Sequence, residues 1–297
     1  MNHIPVLRDE SIDGLSILSG DIIIDGTLGG GGHTFEIIRR FGSGVKVIGL
    51  DFDADAIARA KALVGELPHD TVFRTIGFQD MDKVLDELHM PHVDRILLDL
   101  GLSSFQLEIA GRGFSFLKDE PLLMTMKKDP TDEDLTARDI VNTWEEKSLA
   151  DIIYGFGEEK YSRKIAKAIV EARSEKSIET TFDLVKIIDQ AVGRSYRGLR
   201  IHPSTRTFQA LRIATNSELT NLEKVIEKGF HRLSVGGRMA IITFHSLEDR
   251  IVKHAFAELK MEGHANVITK KPIIPTSEEI INNPRARSAK LRIIEKI

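Results

Sequence analysis

The sequence contains no cysteine, which excludes a disulfide framework and any thiolate metal site. Long apolar runs are missing too. No stretch approaches the ~20 residues that span a bilayer, and Met1 to Pro5 is not a basic region leading into an apolar one. These absences predict a cytoplasmic protein with no membrane partner. No charge of one sign dominates: 41 Lys and Arg stand against 45 Asp and Glu, for a formal net charge of −4. A nucleic-acid partner therefore has to be argued from local charge. No internal repeat or low-complexity tract appears. The 297 residues, 41% hydrophobic and 29% charged, suit a globular chain of one large domain or two.

Glycine is concentrated where it matters. Asp25-Gly26-Thr27-Leu28-Gly29-Gly30-Gly31-Gly32-His33 follows the apolar run Ile22 to Ile24 and opens a segment with helical spacing, so it reads as a strand, a glycine turn and a helix start. Consecutive glycines let the backbone approach a ligand where a Cβ would clash. A mononucleotide, a dinucleotide and S-adenosylmethionine can all bind after the first strand of a doubly wound sheet. The next strand, Val45 to Leu50, ends in Asp51, at the distance where a carboxylate accepts the hydrogen bonds of a ribose diol. No Lys-Ser/Thr pair follows the glycines, as a P-loop requires, and the dinucleotide spacing is not met. A carboxylate at Asp25 would repel a pyrophosphate but suits the ammonium group of a methionine moiety. S-adenosylmethionine is the favoured ligand.

The pattern continues with a helix from Asp53 to Leu67, a strand near Thr71 to Phe73, a helix around Met81 to Leu88 and a strand from Val93 to Asp99. This β/α alternation predicts an α/β, doubly wound sheet. It stops from about Phe114 to Ser217, where Leu135 to Trp144, Ser148 to Tyr154, Ser162 to Ser174 and Thr181 to Ala191 read as helices. It resumes with a helix from Ser217 to Leu233 and a strand from Gly237 to Phe244, and strands near Ala265 to Thr269 and Lys290 to Glu295 finish the sheet. The expected domains are a cofactor-binding domain, 1–113 and 214–297, and an inserted helical, substrate-recognition domain, 114–213.

Local charge points to RNA. Between Gln190 and Ser217 there is no Asp or Glu, while Arg194, Arg197, Arg200, Arg206 and Arg212 fall in that span with His202. Such a patch neutralises phosphates, unless its arginines pair with acids elsewhere in the fold. A second basic run, Arg285, Arg287, Lys290 and Arg292, overlaps the final strand.

Asp25 to His33, Leu97 to Leu107, Arg112 to Phe116, His202 to Ile213, Phe244 to Lys253 and Asn283 to Arg292 resemble, in order and nearly end to end, the signature blocks of the bacterial small-subunit ribosomal RNA methyltransferase H family, also called MraW. The resemblance implies a Rossmann-like class I methyltransferase sheet and transfer of a methyl group from S-adenosylmethionine to the N4 amine of a cytidine in the decoding region of 16S rRNA. It implies 16S rRNA or the small ribosomal subunit as partner, and nothing in it fixes an oligomeric state. Carried over residue by residue, the cofactor contacts fall on Gly31, Gly32, His33, Asp51, Phe78, Asp99 and Gln106. Arg112, Arg206, His245 and Ser246 are the expected substrate contacts. No metal is expected, since no ligand spacing supports one at His245.

Methyl transfer from a sulfonium needs alignment and exclusion of water more than acid or base. A cytosine amine is a poor nucleophile, however, and a carboxylate accepting its N–H returns electron density to nitrogen. Asp99 is the candidate for that catalytic role, Asp99-Leu100-Gly101-Leu102 standing where DNA amino-methyltransferases carry Asp/Asn/Ser-Pro-Pro-aromatic. The chain departs from the family pattern at Glu120 to Met126, where Leu123 and Thr125 replace an aspartate and an arginine. Two further readings are a methyltransferase on a non-RNA substrate, against which the cationic stretch argues, and a noncatalytic RNA-binding assembly factor, against which the glycine turn and Asp51 argue.

Overall fold

The computed structural model describes residues 5–65, 67–102, 111–196, 198 and 201–297. Gln106, Arg197 and Arg200 lie outside them. The chain divides into two compact units, Met1–Gly101 with Leu219–Ile297, and Leu102–Glu218.

The first unit is built on a seven-stranded sheet of order β3-β2-β1-β4-β5-β7-β6. Its strands are β1 (Ile22–Asp25), β2 (Lys46–Asp51), β3 (Asp70–Thr75), β4 (Val93–Asp99), β5 (Leu233–Thr243), β6 (Ala265–Val267) and β7 (Lys290–Lys296). All neighbours are parallel except β7, which runs antiparallel to β5 and β6. Helices α1 (Arg8–Leu15), α2 (Gly32–Phe41), α3 (Ala54–Val64) and α4 (Met81–Glu87) belong to its first half.

The near-continuous apolar runs of the central strands are what a sheet covered on both faces demands. Side chains alternate between faces, and the packing follows that period. Ile24, Ile48, Leu50, Ile96, Leu98, Met239 and Ile241 form one core with α4 and with residues of the later helices. Ile23, Val47, Leu97, Ala240 and Ile242 form the other with Ile37, Ile38 and the residues of α1. The sheet is thus a doubly wound α/β sheet, as the alternation predicts. β5 begins at Leu233, ahead of the expected Gly237, because the strand takes in a register irregularity opposite Val93 and Arg95.

The second unit is helical: α5 (Ala137–Thr143), α6 (Glu146–Gly155), α7 (Ser162–Glu175), α8 (Thr181–Val192) and α9 (Thr205–Asn216). Thr136 and Thr180 start α5 and α8 with reciprocal capping boxes to Asp139 and Asp183, fixing where the helices begin. Ile140, Leu149, Ile153, Ile165, Ile169, Leu184, Ile188, Phe208 and Leu211 meet in a core of the unit's own. Among the described residues, the insertion adds no strand to the main sheet.

The unit spans Leu102–Glu218, wider than the 114–213 expected. Gly113 N–H donates to Glu120 (2.9 Å), Met124 N–H to the Arg112 carbonyl (2.7 Å) and Arg112 Nη1 to the Met126 carbonyl (2.8 Å). At the far end Arg212 reaches Glu218. The departure at Glu120 to Met126 is absorbed by main-chain bonds. Asn216 holds both the Met126 N–H and the Met124 carbonyl, and neither bond involves the side chain of Leu123 or Thr125.

α10 (Glu218–Arg232) leads back into the sheet, followed by α11 (Ser246–Met261) and α12 (Ser277–Asn282).

Candidate cofactor and methyl-transfer site

The strand order reverses between β1 and β4, and ligands of open α/β sheets bind in the crevice outside the carboxyl ends at such a point. The glycine turn is stitched to the strands on either side of β1. Gly26 N–H donates to the Leu97 carbonyl and Leu28 N–H to the Leu50 carbonyl, each at 2.9 Å. Gly29 N–H donates to Asp51 at 2.7 Å, and Asp99 N–H donates to the Thr27 hydroxyl at 2.6 Å.

Gly31 ends the turn at φ +78°, where a Cβ would stand 2.8 Å from that of Ala60. A side chain there is both strained and overlapped. A Cβ at Gly32 would lie 2.4 Å from Pro5, whereas one at Gly30 meets nothing within 4 Å. The turn is therefore packed from behind and open at Gly30, and α2 starts from it with its N-terminal N–H groups unbonded by any side-chain cap.

Carboxylates gather at the strand tips. Asp25 is 1% exposed and bonds inward, accepting from the Thr34 hydroxyl (2.7 Å) and Thr27 N–H (3.3 Å). It ties β1 to α2 and is not the open ammonium acceptor expected. Burial pushes its carboxyl up to about 6, against the help of those bonds. Asp51 accepts from Gly29 and from Asp53 N–H at 2.9 Å, and burial raises it too. Asp99 is held well above the ordinary carboxylate range by burial and by the nearby charges of Asp25 and Glu248. Among the described residues its Oδ1 is buried with no hydrogen-bond partner, and its Oδ2 lies 3.8 Å from Nδ1 of His33.

The shift at Asp25 has a measurable sign. A carboxyl whose folded value is about 6, against 3.8 for the unperturbed group, favours folding below about pH 4 and loses that contribution as pH rises through 6, a change on the order of 3 kcal/mol. Urea unfolding of wild type and Asp25→Asn from pH 4 to pH 7 should show the variant gaining on wild type by that order. Parallel curves would mean that Asp25 carries no such penalty.

Phe78 follows β3, half-buried, and a Cβ on Gly26 would sit 3.1 Å from its own. His245 caps α11. Its Nδ1 takes Glu248 N–H at 3.4 Å and its Nε2 lies 3.2 Å from Glu248 Oε1. Glu248 in turn accepts Phe244 N–H at 2.8 Å, and Ser246 is exposed on the first turn of the helix. β5 lies beside β4 with Ile242 opposite Asp99, so His245 and Ser246 leave the sheet at the same end as Asp99. Glu248, Thr27 and Thr34 were missed in the sequence reading. Glu248 is signalled only by its capping-box spacing from His245, and the two threonines by nothing local.

The helical unit sorts the cationic stretch. Arg212 is not free of carboxylates: it grips Glu218 with two bonds of 2.8 Å, six residues on and just past the acid-free span. Arg206 is half-buried and bonds to the hydroxyl of Tyr196, which itself donates to the fully buried Glu159. Burial and that glutamate push Tyr196 up to about 12. Arg194 is exposed. Arg112 is 5% exposed, with its guanidinium 5.7 Å from the Phe114 ring, and serves the unit's own packing. In the first unit, Arg292 and Lys290 both bind Asp249, so that basic run is partly internal.

A family model described as the MraW methylase family matches residues 1–297. A relative described as Ribosomal RNA small subunit methyltransferase H, from Clostridium botulinum (strain Kyoto / Type A2), is 46% identical over 310 aligned positions, covering 99% of this chain and 99% of its own. One of the same description from Lachnospira eligens is 44% identical, covering 99% of this chain and 98% of its own. Among solved structures, an rRNA methylase from Streptococcus thermophilus aligns over 100% of this chain and 99% of its own at 13% identity and a TM-score of 0.44, too low a likeness to add weight. The full-length family match, on a glycine turn pinned between two strand-tip carboxylates, is decisive: this chain belongs to the MraW methylase family.

Proposed function

We propose that this chain transfers a methyl group from S-adenosylmethionine to the N4 amine of a cytidine in the decoding region of 16S rRNA, as free rRNA or in the small ribosomal subunit. The work is cytoplasmic. The observation that carries the reading is Asp99: a half-buried carboxylate at the switch point of a methylase fold, with one buried oxygen that has no hydrogen-bond partner among the described residues.

The donor set fits the cofactor. Three desolvated carboxyls, Asp25 buried and Asp51 and Asp99 half-buried, are each raised by that desolvation and favour a ligand bearing positive charge, and S-adenosylmethionine carries a sulfonium and an ammonium. When bound it supplies an electrophilic methyl group. The N–H groups of Gly32 and His33 at the start of α2 would meet its carboxylate, while Gly31, whose own N–H donates to the Leu28 carbonyl at 2.7 Å, brings the main chain close without a Cβ. Asp51 keeps lone pairs for the ribose hydroxyls beyond those engaged by Gly29 and Asp53, and the Phe78 ring would lie against the adenine.

Asp99 Oδ1 accepts an N–H of the cytosine amine and orients the nitrogen lone pair. With the donor bound, that lone pair would be aimed at the methyl group, and Asp99 would take the proton that nitrogen loses. His245 and Ser246 border the target base, and Arg194 and Arg206 hold phosphates. The raised Asp51 and Asp99 carboxyls give the ligand a pH dependence, so S-adenosylmethionine affinity falls on the acid side as they protonate.

Transfer of labelled methyl to purified small-subunit rRNA, followed by nucleoside analysis, tests the reading. N4-methylcytidine is the expected product, and no transfer to rRNA overturns it. Arg206→Ala should lower rRNA affinity and reduce the salt slope by roughly one counterion, with S-adenosylmethionine binding near wild type. Arg212→Ala should instead lower stability by about 2 kcal/mol, by stranding Glu218. An unaltered salt slope for Arg206→Ala would remove RNA from this face.

A further inference from the structure

His33 enters the reading above only through its main chain, yet its side chain is fixed from two sides. It is 5% exposed. Its Nε2 lies 3.2 Å from the Val6 carbonyl, and since a carbonyl only accepts, Nε2 carries a hydrogen. That leaves Nδ1 toward Asp99 Oδ2 at 3.8 Å.

The Val6 anchor is itself held. Pro5 packs against Gly32, Leu7 N–H donates to Glu279 at 2.7 Å, and Val6 and Leu7 are 5% and 0% exposed. The charged groups facing Asp99 from the neighbouring elements are Asp25 on β1 and Glu248 on α11, both anionic when ionised, and His33 on α2. Among these described residues, only His33 can offset a charge on Asp99.

We propose that His33 is a positioning residue for methyl transfer: tethered to Val6, its imidazolium faces Asp99 Oδ2 and keeps the carboxylate ionised, so that Oδ1 remains the acceptor of the cytosine N–H. The inference rests on the role given to Asp99 above. His33 touches neither methyl group nor base. It sets the pH range over which Asp99 can act, and the two groups titrate as a pair.

Asp99 must be ionised to accept the proton, so the rate falls as pH drops through the pair's lower transition. Without the imidazolium the carboxyl moves further up. His33→Gln keeps a donor for Val6 but cannot carry charge. Its acid limb in single-turnover methyl transfer should shift upward by about one pH unit or more, so that the rate falls about tenfold along that limb and meets wild type on the alkaline plateau. A loss equal at every pH would mean a merely structural role and would overturn the proposal.

A second arm needs neither cofactor nor RNA. In ligand-free protein, nitrogen NMR should show His33 titrating at higher pH in wild type than in Asp99→Asn, because the carboxylate stabilises the imidazolium. Coincident titrations would also overturn it. If wild type methylates no rRNA while this titration difference stands, the fault lies with the assigned substrate and not with the pair.

Discussion

Asp99→Ala is expected to slow single-turnover methyl transfer to small-subunit rRNA about a thousandfold, the range set by removing a group that accepts a proton from the reacting nitrogen. S-adenosylmethionine affinity should change far less. The separation follows from the geometry. The main chain at residue 99 is held independently of its carboxylate, by the Asp99 N–H bond to Thr27 and the sheet register beside β1 and β5. Folding should not suffer either, since desolvation and the charges of Asp25 and Glu248 hold the wild-type carboxyl well above its ordinary range. The variant is therefore expected to melt no lower than wild type at pH 8, where that charge is least favourable. A transfer rate within about tenfold of wild type would assign the role to another group.

Asp51→Ala should weaken S-adenosylmethionine by about 2 kcal/mol or more, roughly thirtyfold in Kd. Two losses combine. The ribose hydroxyls lose a charge-assisted acceptor, and the glycine turn loses the bond from Gly29 N–H, so the loop that meets the methionine end also loosens. Calorimetry on the purified variant, with circular dichroism to check the fold, measures it. Unchanged affinity would remove Asp51 from the cofactor site. Asp51→Asn keeps a neutral acceptor for Gly29 and should fall between the two, which separates the loop effect from the charge.

Much of this site was legible in the chain because it depends on local order. A strand, a glycine run and a helix start lie within a dozen residues around Gly29, and Asp51 and Asp99 each end an apolar run. The continuous apolar runs Ile22 to Ile24, Val47 to Leu50 and Ile96 to Leu98 marked buried strands, and helical spacing marked α5 to α8. α9 escaped the sequence reading, although Phe208 and Leu211 sit at helical spacing and are buried, because its arginines drew a charge interpretation of the same residues. α11 escaped as well, its start resting on a histidine cap at His245 rather than the usual serine, threonine or aspartate.

Which charges are free could not be read from the chain. Arg212 and Arg206 look alike in sequence, yet one is gripped by Glu218 and the other bonds to Tyr196. Arg112 sits in a signature block and is buried. Asp25 looked like an open acceptor and bonds inward to Thr34. The sequence by itself determined the sheet class, the cofactor turn, the strand-tip acids and the family pattern, since each follows from periodicity or from residue types close along the chain. Only the tertiary structure decided which carboxyls are desolvated, which arginines are already paired and that His33 faces Asp99. Burial and charge pairing depend on distances between residues far apart in sequence, and folding alone sets those distances.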